Sequence, residues 1–229
     1  MTEDSHLNMH SALVGYPSKA AFGRAIPKNK IYEHSKANTR LKDLFVKEVE
    51  QITWQYKLAP ETINLLGKPG VPEIQVFRIQ LKTPEFHLDV LRAIDGVVQF
   101  PIIFELEFDG RTQVVACYKR PNEAAASRWV LSEYFKTDWI PASGSRAPMP
   151  LALDLGSLYE QLLHRLIPLR VRAQETLAAL VARVEQVCAK EREITQTAAR
   201  MEREKQFNRK VEINATLRKL KAELEELRR

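Results

Sequence analysis

The sequence has only two cysteines, Cys117 and Cys188, far apart in the chain. Neither lies at zinc spacing from another cysteine or histidine, so no disulfide framework and no zinc site is read. A reducing, cytoplasmic setting is expected from this cysteine usage. Glycine is scarce as well: eight in 229 residues leave few places for a phosphate-cradling loop. The patterns G-x-x-x-x-G-K-S/T, G-x-G-x-x-G, H-E-x-x-H and G-x-S-x-G are all missing. The common nucleotide, zinc-protease and acyl-transfer signatures go with them. Of five histidines, only His6 and His10 sit four apart, in a polar segment that reads as an unstructured tail. Apolar runs stop well short of the ~20 residues that span a bilayer. The opening "MTEDSHLNMH" is acidic and polar, unlike a secretory signal. No membrane association, metal, cofactor or catalytic residue is read from these features.

What the chain does have is apolar mass and positive charge. Hydrophobic residues make up 45%, enough for a real core, and the net charge is +6. A basic balance of this size favours anionic partners such as nucleic acid or an acidic protein.

Four regions are expected: a flexible tail over 1–14, an α+β domain over 15–142, a linker over 143–153 and a helical region over 154–229. "PASGSRAPMP", Pro141–Pro150, is rich in proline and small residues and reads as linker. Within the domain, Leu41, Leu44, Phe45, Val49, Ile52 and Tyr56 recur at three- and four-residue steps. They predict a helix over Asn38–Tyr56, capped by Asn38 or Thr39. "EIQVFRIQLK" is rich in isoleucine and valine and predicts a strand. "FHLDVLRAID" suits a short helix, and "SRWVLSEYFKTDWI" a further strand. In "FPIIFELEFDGRTQVVACYKR", Asp109-Gly110 lies between two β-rich runs, the signature of a type I′ hairpin. The strands are predicted at Pro101–Phe108 and Arg111–Lys119. Helices and strands are segregated, so the fold class is α+β, with a mainly antiparallel sheet and flanking helices.

The last region predicts long helices. Leu155, Leu158, Leu162 and Leu166 form one apolar stripe, and Pro168 should end or kink that helix. Leu177, Leu180, Val181, Val184 and Val187 form a second stripe. These two are expected to pack on the domain or on each other. Ile213, Leu217, Leu220, Leu224 and Leu227 step by four, three, four and three, a short coiled-coil-like seam. Phe207, Val211 and Asn214 lie beside it. No glycine or proline falls between Val187 and Phe207 to turn the chain back. The seam and its neighbours are therefore expected to meet another chain, either a second copy or a partner protein.

Two constellations invite a chemical reading. Glu105 and Glu107, with Asp95 upstream and Lys119 downstream, suggest a metal-dependent nuclease. The hairpin register argues against it. Counting out from the turn pairs Phe100 with Lys119, so Lys119 and the two glutamates fall on opposite faces. The plainer reading is a half-buried hairpin with a polar outer face. The second constellation is the basic entry Arg24, Lys28, Lys30 and Lys36 with Tyr32 interleaved. Lysine and arginine at this density can neutralise phosphates, and they are the candidate nucleic-acid contacts. In the tail, glutamates intersperse the basic residues, so those charges read as helix-surface ion pairs.

"IPKNKIYE", "LFVKEVEQITWQYKLAPETINL", "EIQVFRIQLK", "IDGVVQFPIIFELEF", "YKR" and "EKQFNRKVEINATLRKLKAELEEL", in this order, resemble the bacterial domain of unknown function numbered 4391. The likeness runs from about Gly15 to the C-terminus. It implies genes beside superfamily 2 helicases and DNA methyltransferases, in mobile or defence-type clusters. The implied role is a non-enzymatic accessory subunit of a restriction-modification or anti-phage assembly, docking a helicase or methyltransferase through its C-terminal helices. The alternatives are a nucleic-acid-binding module and a divergent nuclease. The resemblance carries no catalytic residues.

Overall fold

The computed structural model describes residues 12–122 and 125–229. His6, His10 and most of the expected tail lie outside these residues. The chain divides into two compact units, Met1–Leu166 and Ile167–Arg229.

The first unit is built on a seven-stranded mixed sheet. Its strands are β2 (Ala21–Ala25), β3 (Val49–Leu58), β4 (Ile74–Leu81), β5 (Ile102–Phe108), β6 (Arg111–Asn122), β7 (Ala125–Lys136) and β8 (Ile140–Pro141). The order is β2-β3-β4-β5-β6-β7, with β8 also paired to β6. Every neighbouring pair is antiparallel except β4 and β5, which run parallel. A parallel pair needs a crossover, and helix α4 (Asp89–Val97) lies in that connection. The β5–β6 hairpin forms as its turn residues require. Phe108 pairs with Arg111, and Asp109 and Gly110 take φ of 46° and 68°.

The long predicted first helix is really two elements. Helix α2 covers Thr39–Glu48, with the Asn38 side chain accepting from the Leu41 N–H at 2.9 Å. The chain then enters β3 directly at Val49. The stripe Leu41–Tyr56 fits both, because Val49, Ile52, Thr53, Trp54 and Tyr56 are β-branched or aromatic and suit a strand. Tertiary pairing decides: Ile52, Thr53 and Trp54 lie opposite Ile79, Arg78 and Phe77 of β4.

Helix α1 (Lys28–Ser35), α2 and α4 contribute to one core with one face of the sheet. Ile31, Phe45, Leu91 and Ile94 pack there with Phe77, Phe104 and Val115. The opposite face is covered around Glu105, while Arg78 and Glu107 on it are half-buried, and this corrects in part the expectation of a polar outer surface. Glu105 on that face is only 1% exposed. The guanidinium of Arg146 grips it with two bonds of 2.6 and 2.8 Å and also donates to the Val14 carbonyl. Arg146 lies inside the stretch expected to be linker. So does strand β9 (Ala147–Pro148), which pairs parallel with β1 (Val14–Gly15). Ala12, Leu13 and Val14, assigned to the tail by sequence, are buried. Residues 143–153 are therefore part of the first unit, fastened by an ion pair that their proline content conceals. Helix α5 (Leu155–His164) completes the unit. Its Tyr159 hydroxyl donates to the Cys117 carbonyl of β6 at 2.7 Å. A four-residue helix, α3 (Pro60–Ile63), lies between β3 and β4.

The second unit is a helical hairpin, α6 (Leu177–Arg203) and α7 (Phe207–Arg228). Here the seam folds back, against expectation. Ile213, Leu217, Leu220 and Leu224 are buried within the chain, as are Leu177, Leu180, Val181, Val184 and Val187. The turn needs neither glycine nor proline. Glu204 and Gln206 flank it in extended conformation, and the Glu204 carboxylate accepts the Lys205 and Gln206 N–H groups at 2.8 and 2.9 Å. Those two bonds hold the connection between α6 and α7 to three residues. Cross-pairs Lys190–Glu223 and Arg228–Glu191, at 2.9 and 2.7 Å, fix the antiparallel register. Buried Arg183 donates to Glu175 and to the carbonyls of Arg170 and Leu227, tying the preceding loop to the end of α7.

Candidate nucleic-acid interface

The basic entry becomes strand β2, helix α1 and its C-terminal cap. Pro27 precedes the first turn, and Lys36 ends the helix in the left-handed conformation at φ 51°. Arg24, Lys30 and Lys36 are exposed, and none of them holds an ion pair among the described residues. Lys28 and Tyr32 have other work. The Lys28 ammonium donates to the Val49 carbonyl where β3 begins. Burial, with Lys82 nearby, lowers its pKa. The Tyr32 ring packs edge-on against Phe45 at 5.4 Å. Its hydroxyl is buried without a hydrogen-bond partner among the described residues, and that burial raises its pKa. The sequence brought five residues together as contacts. The structure leaves three of them facing solvent.

Two hollows flank α1. One is polar, about 420 Å³, and lined in part by Lys36, Arg40, Asp89 and Arg92. Asp89 takes up part of that charge, lying 3.9 Å from Arg40 and 3.5 Å from Arg92. The other is also about 420 Å³, with an apolar wall that includes Trp54, Phe77, Ile94 and Phe100. Lys30 and His34 stand on its rim. Periodicity alone does not show this hollow, because the apolar stripe predicts a helix that runs through Trp54. Its ring centroid lies 4.2 Å from Phe22 of the edge strand β2 and 6.2 Å from Phe77. Its indole N–H is satisfied by the Tyr56 carbonyl at 2.9 Å.

The residues of the nuclease reading separate as the register requires. Glu105 is bound to Arg146, and Glu107 lies 3.1 Å from Arg78. Asp95 sits across the sheet in a buried cluster with Lys119, Cys117 and Tyr134. The Lys119 ammonium donates to the Asp95 carbonyl at 2.6 Å, to its carboxylate at 3.3 Å and to the Val98 carbonyl. The Tyr134 hydroxyl donates to the second carboxylate oxygen at 2.5 Å. Burial raises the Asp95 pKa and lowers that of Lys119. Both side chains are about 1% exposed or less. The cluster closes the end of α4 on the sheet, where no substrate reaches it. Among the described residues no group of three or more histidine, cysteine or carboxylate side chains is placed to hold a metal. No helix among them is long and apolar enough to cross a membrane.

Of the eight residues expected to meet another chain, Ile213, Leu217, Leu220 and Leu224 are covered by the hairpin itself. Leu227 is half-buried and Asn214 exposed. Phe207 and Val211, beside the turn, are 77% and 54% exposed.

A family model described as "Domain of unknown function (DUF4391)" matches residues 14–224. Searches among curated proteins and among solved structures found no match.

Proposed function

Starting from the fact that the chain belongs to the DUF4391 family, we propose that it is an accessory subunit that holds nucleic acid for a DNA-processing assembly. The observation that supports this is the surface around α1. Arg24, Lys30 and Lys36 project into solvent there with no carboxylate paired to them among the described residues. Unpaired, exposed cations carried by one strand–helix segment can hold phosphates, and the net charge of +6 adds long-range attraction. The test is a salt titration of binding to a labelled oligonucleotide. Replacing Arg24, Lys30 and Lys36 together by alanine should lower the slope of log K against log salt by roughly 2 to 3. Lys28 is left intact, because its bond to Val49 belongs to the fold. No binding at low salt, or an unchanged slope, refutes the reading.

The partner in that assembly is a superfamily 2 helicase or a DNA methyltransferase, as the gene neighbourhoods implied by the resemblance suggest. Exposed Phe207 and Val211 offer it a contact at the turn of the helical hairpin, in place of the buried seam. Phe207→Ser with Val211→Ser should leave the hairpin folded and reduce co-purification of the partner from the native host. Retention of the partner by that variant removes the contact.

A further inference from the structure

We infer that the apolar hollow beside α1 receives an unpaired base, which makes the protein selective for single-stranded nucleic acid. This rests on the nucleic-acid reading above and goes past it, because exposed cations alone would hold duplex and single strand alike.

Three observations carry the inference. The first is shape and lining. The hollow of about 420 Å³ falls within the range of small-ligand sites, and its wall includes the half-buried rings of Trp54 and Phe100, with Phe77 buried in the core they border. Aromatic rings are platforms on which any base can stack. The second is polarity. Gln75 and Gln99 also line the hollow; the buried Gln75 amide donates to Glu73 at 2.6 Å, so the exposed Gln99 is the free one. An amide supplies both a donor and an acceptor, the complement of a base edge. The third is charge. Lys30 and His34 line the same hollow, and no aspartate or glutamate does. The polar hollow on the other side of α1 holds Asp89 among its cations. A base in the apolar hollow would therefore have the Lys30 ammonium, and no lining carboxylate, beside its own phosphate. A greasy partner peptide would use the rings but gain nothing from this charge. In a duplex the base edges and faces are stacked and paired, so the hollow cannot be filled without extrusion.

The experiment uses the full chain and two probes of equal length, an oligodeoxythymidine and a blunt duplex. The intact protein should bind the single strand at least tenfold more tightly. Trp54→Leu should weaken single-strand binding roughly 5- to 150-fold, the range that loss of one base–aromatic stack produces. Duplex binding should stay within twofold. Gln99 is exposed at the rim, so Gln99→Ala tests the edge contact without touching the core. It should cost the single strand severalfold and the duplex nothing. This second variant keeps the test open if Trp54→Leu unfolds. Equal affinity for both probes, or single-strand binding unchanged in Gln99→Ala and in folded Trp54→Leu, overturns the base pocket. If the Arg24, Lys30 and Lys36 variant still loses affinity in that case, phosphate binding survives alone. If neither probe binds at low salt, the nucleic-acid reading itself falls.

Discussion

Lys119→Met is the sharpest probe of the first unit. An ammonium has three donors and no acceptor. All three of Lys119's donors are used: on the Asp95 carbonyl, the Asp95 carboxylate and the Val98 carbonyl. Methionine fills similar volume and offers none of them. Two carbonyls at the end of α4 then lose a partner, and a buried carboxylate loses its counter-charge. Removing one member of a buried pair costs about 3–5 kcal/mol, a large share of the 5–15 kcal/mol that holds a typical domain together. The carboxylate keeps its bond from Tyr134, which places the cost at the lower end. A pH signature follows. Burial already raises the Asp95 pKa, and without Lys119 it rises further. A raised carboxyl pKa gives stability that is present at low pH and lost as pH rises through the folded value. The variant's deficit should therefore be smaller at pH 5 than at pH 8. Trp54, Trp129 and Trp139 all lie within residues 1–166. Tryptophan emission during urea unfolding therefore follows this unit without the helical hairpin. Pairing the change with Asp95→Leu should recover part of the loss. A deficit under 1 kcal/mol, or one independent of pH, would refute the assignment of Lys119 and Asp95 as a buried ion pair.

Gly110→Val should cost about 1–3 kcal/mol by the same assay. A β-carbon there meets nothing within 4 Å, so the whole penalty is backbone strain at φ +68°. Gly110→Asn, which tolerates that region, should recover most of it. Leu220→Glu with Leu224→Glu should melt the helical hairpin, visible as lost helical circular dichroism with tryptophan emission preserved. A variant that keeps its helix would mean the seam is not covered from within. Acid should loosen the same hairpin. Arg183 holds the Glu175 carboxyl at about 2, against an ordinary value of 4.5. A depressed carboxyl pKa gives stability that is present above the ordinary value and lost as pH falls toward the folded one. Helix content should thus decline between about pH 5 and pH 2, and Arg183→Ala should be less stable at neutral pH with a flatter acid profile.

The hairpin was the most legible element because its cause is local. Asp109-Gly110 demands positive φ at both positions, and the register out to Ala116 follows by counting. The same counting sets Glu105 and Lys119 on opposite faces. The Asn38–Tyr56 stripe was ambiguous for the opposite reason. Apolar residues three and four apart also satisfy a helix that runs into a strand, and only the partner strand β4 chooses between them. The fold-back of α7 was hidden because its turn depends on a glutamate side chain binding two N–H groups, not on glycine or proline. The proline-rich stretch misled through composition. One residue in it, Arg146, forms a two-bond ion pair with a glutamate 41 positions away.

The candidate site shows the same limit more sharply. Sequence identifies which residues carry charge but not which of them are already engaged. Lys28 and Lys30 are two positions apart on one helix and look equivalent in the sequence. One donates to a backbone carbonyl at the head of β3, and the other stands at the rim of an aromatic hollow. The distinction decides the experiment. Alanine at Lys28 removes a fold contact, and any loss of binding there would be misread as a lost phosphate. Alanine at Lys30 removes a free cation. Trp54 carries the complementary lesson. Its role depends on Phe22, 32 positions earlier, and Phe77, 23 later, arriving on neighbouring strands. An aromatic surface assembled from three strands leaves no periodic trace in any of them. It becomes a binding hypothesis only when α1 brings the unpaired Lys30 ammonium to its edge.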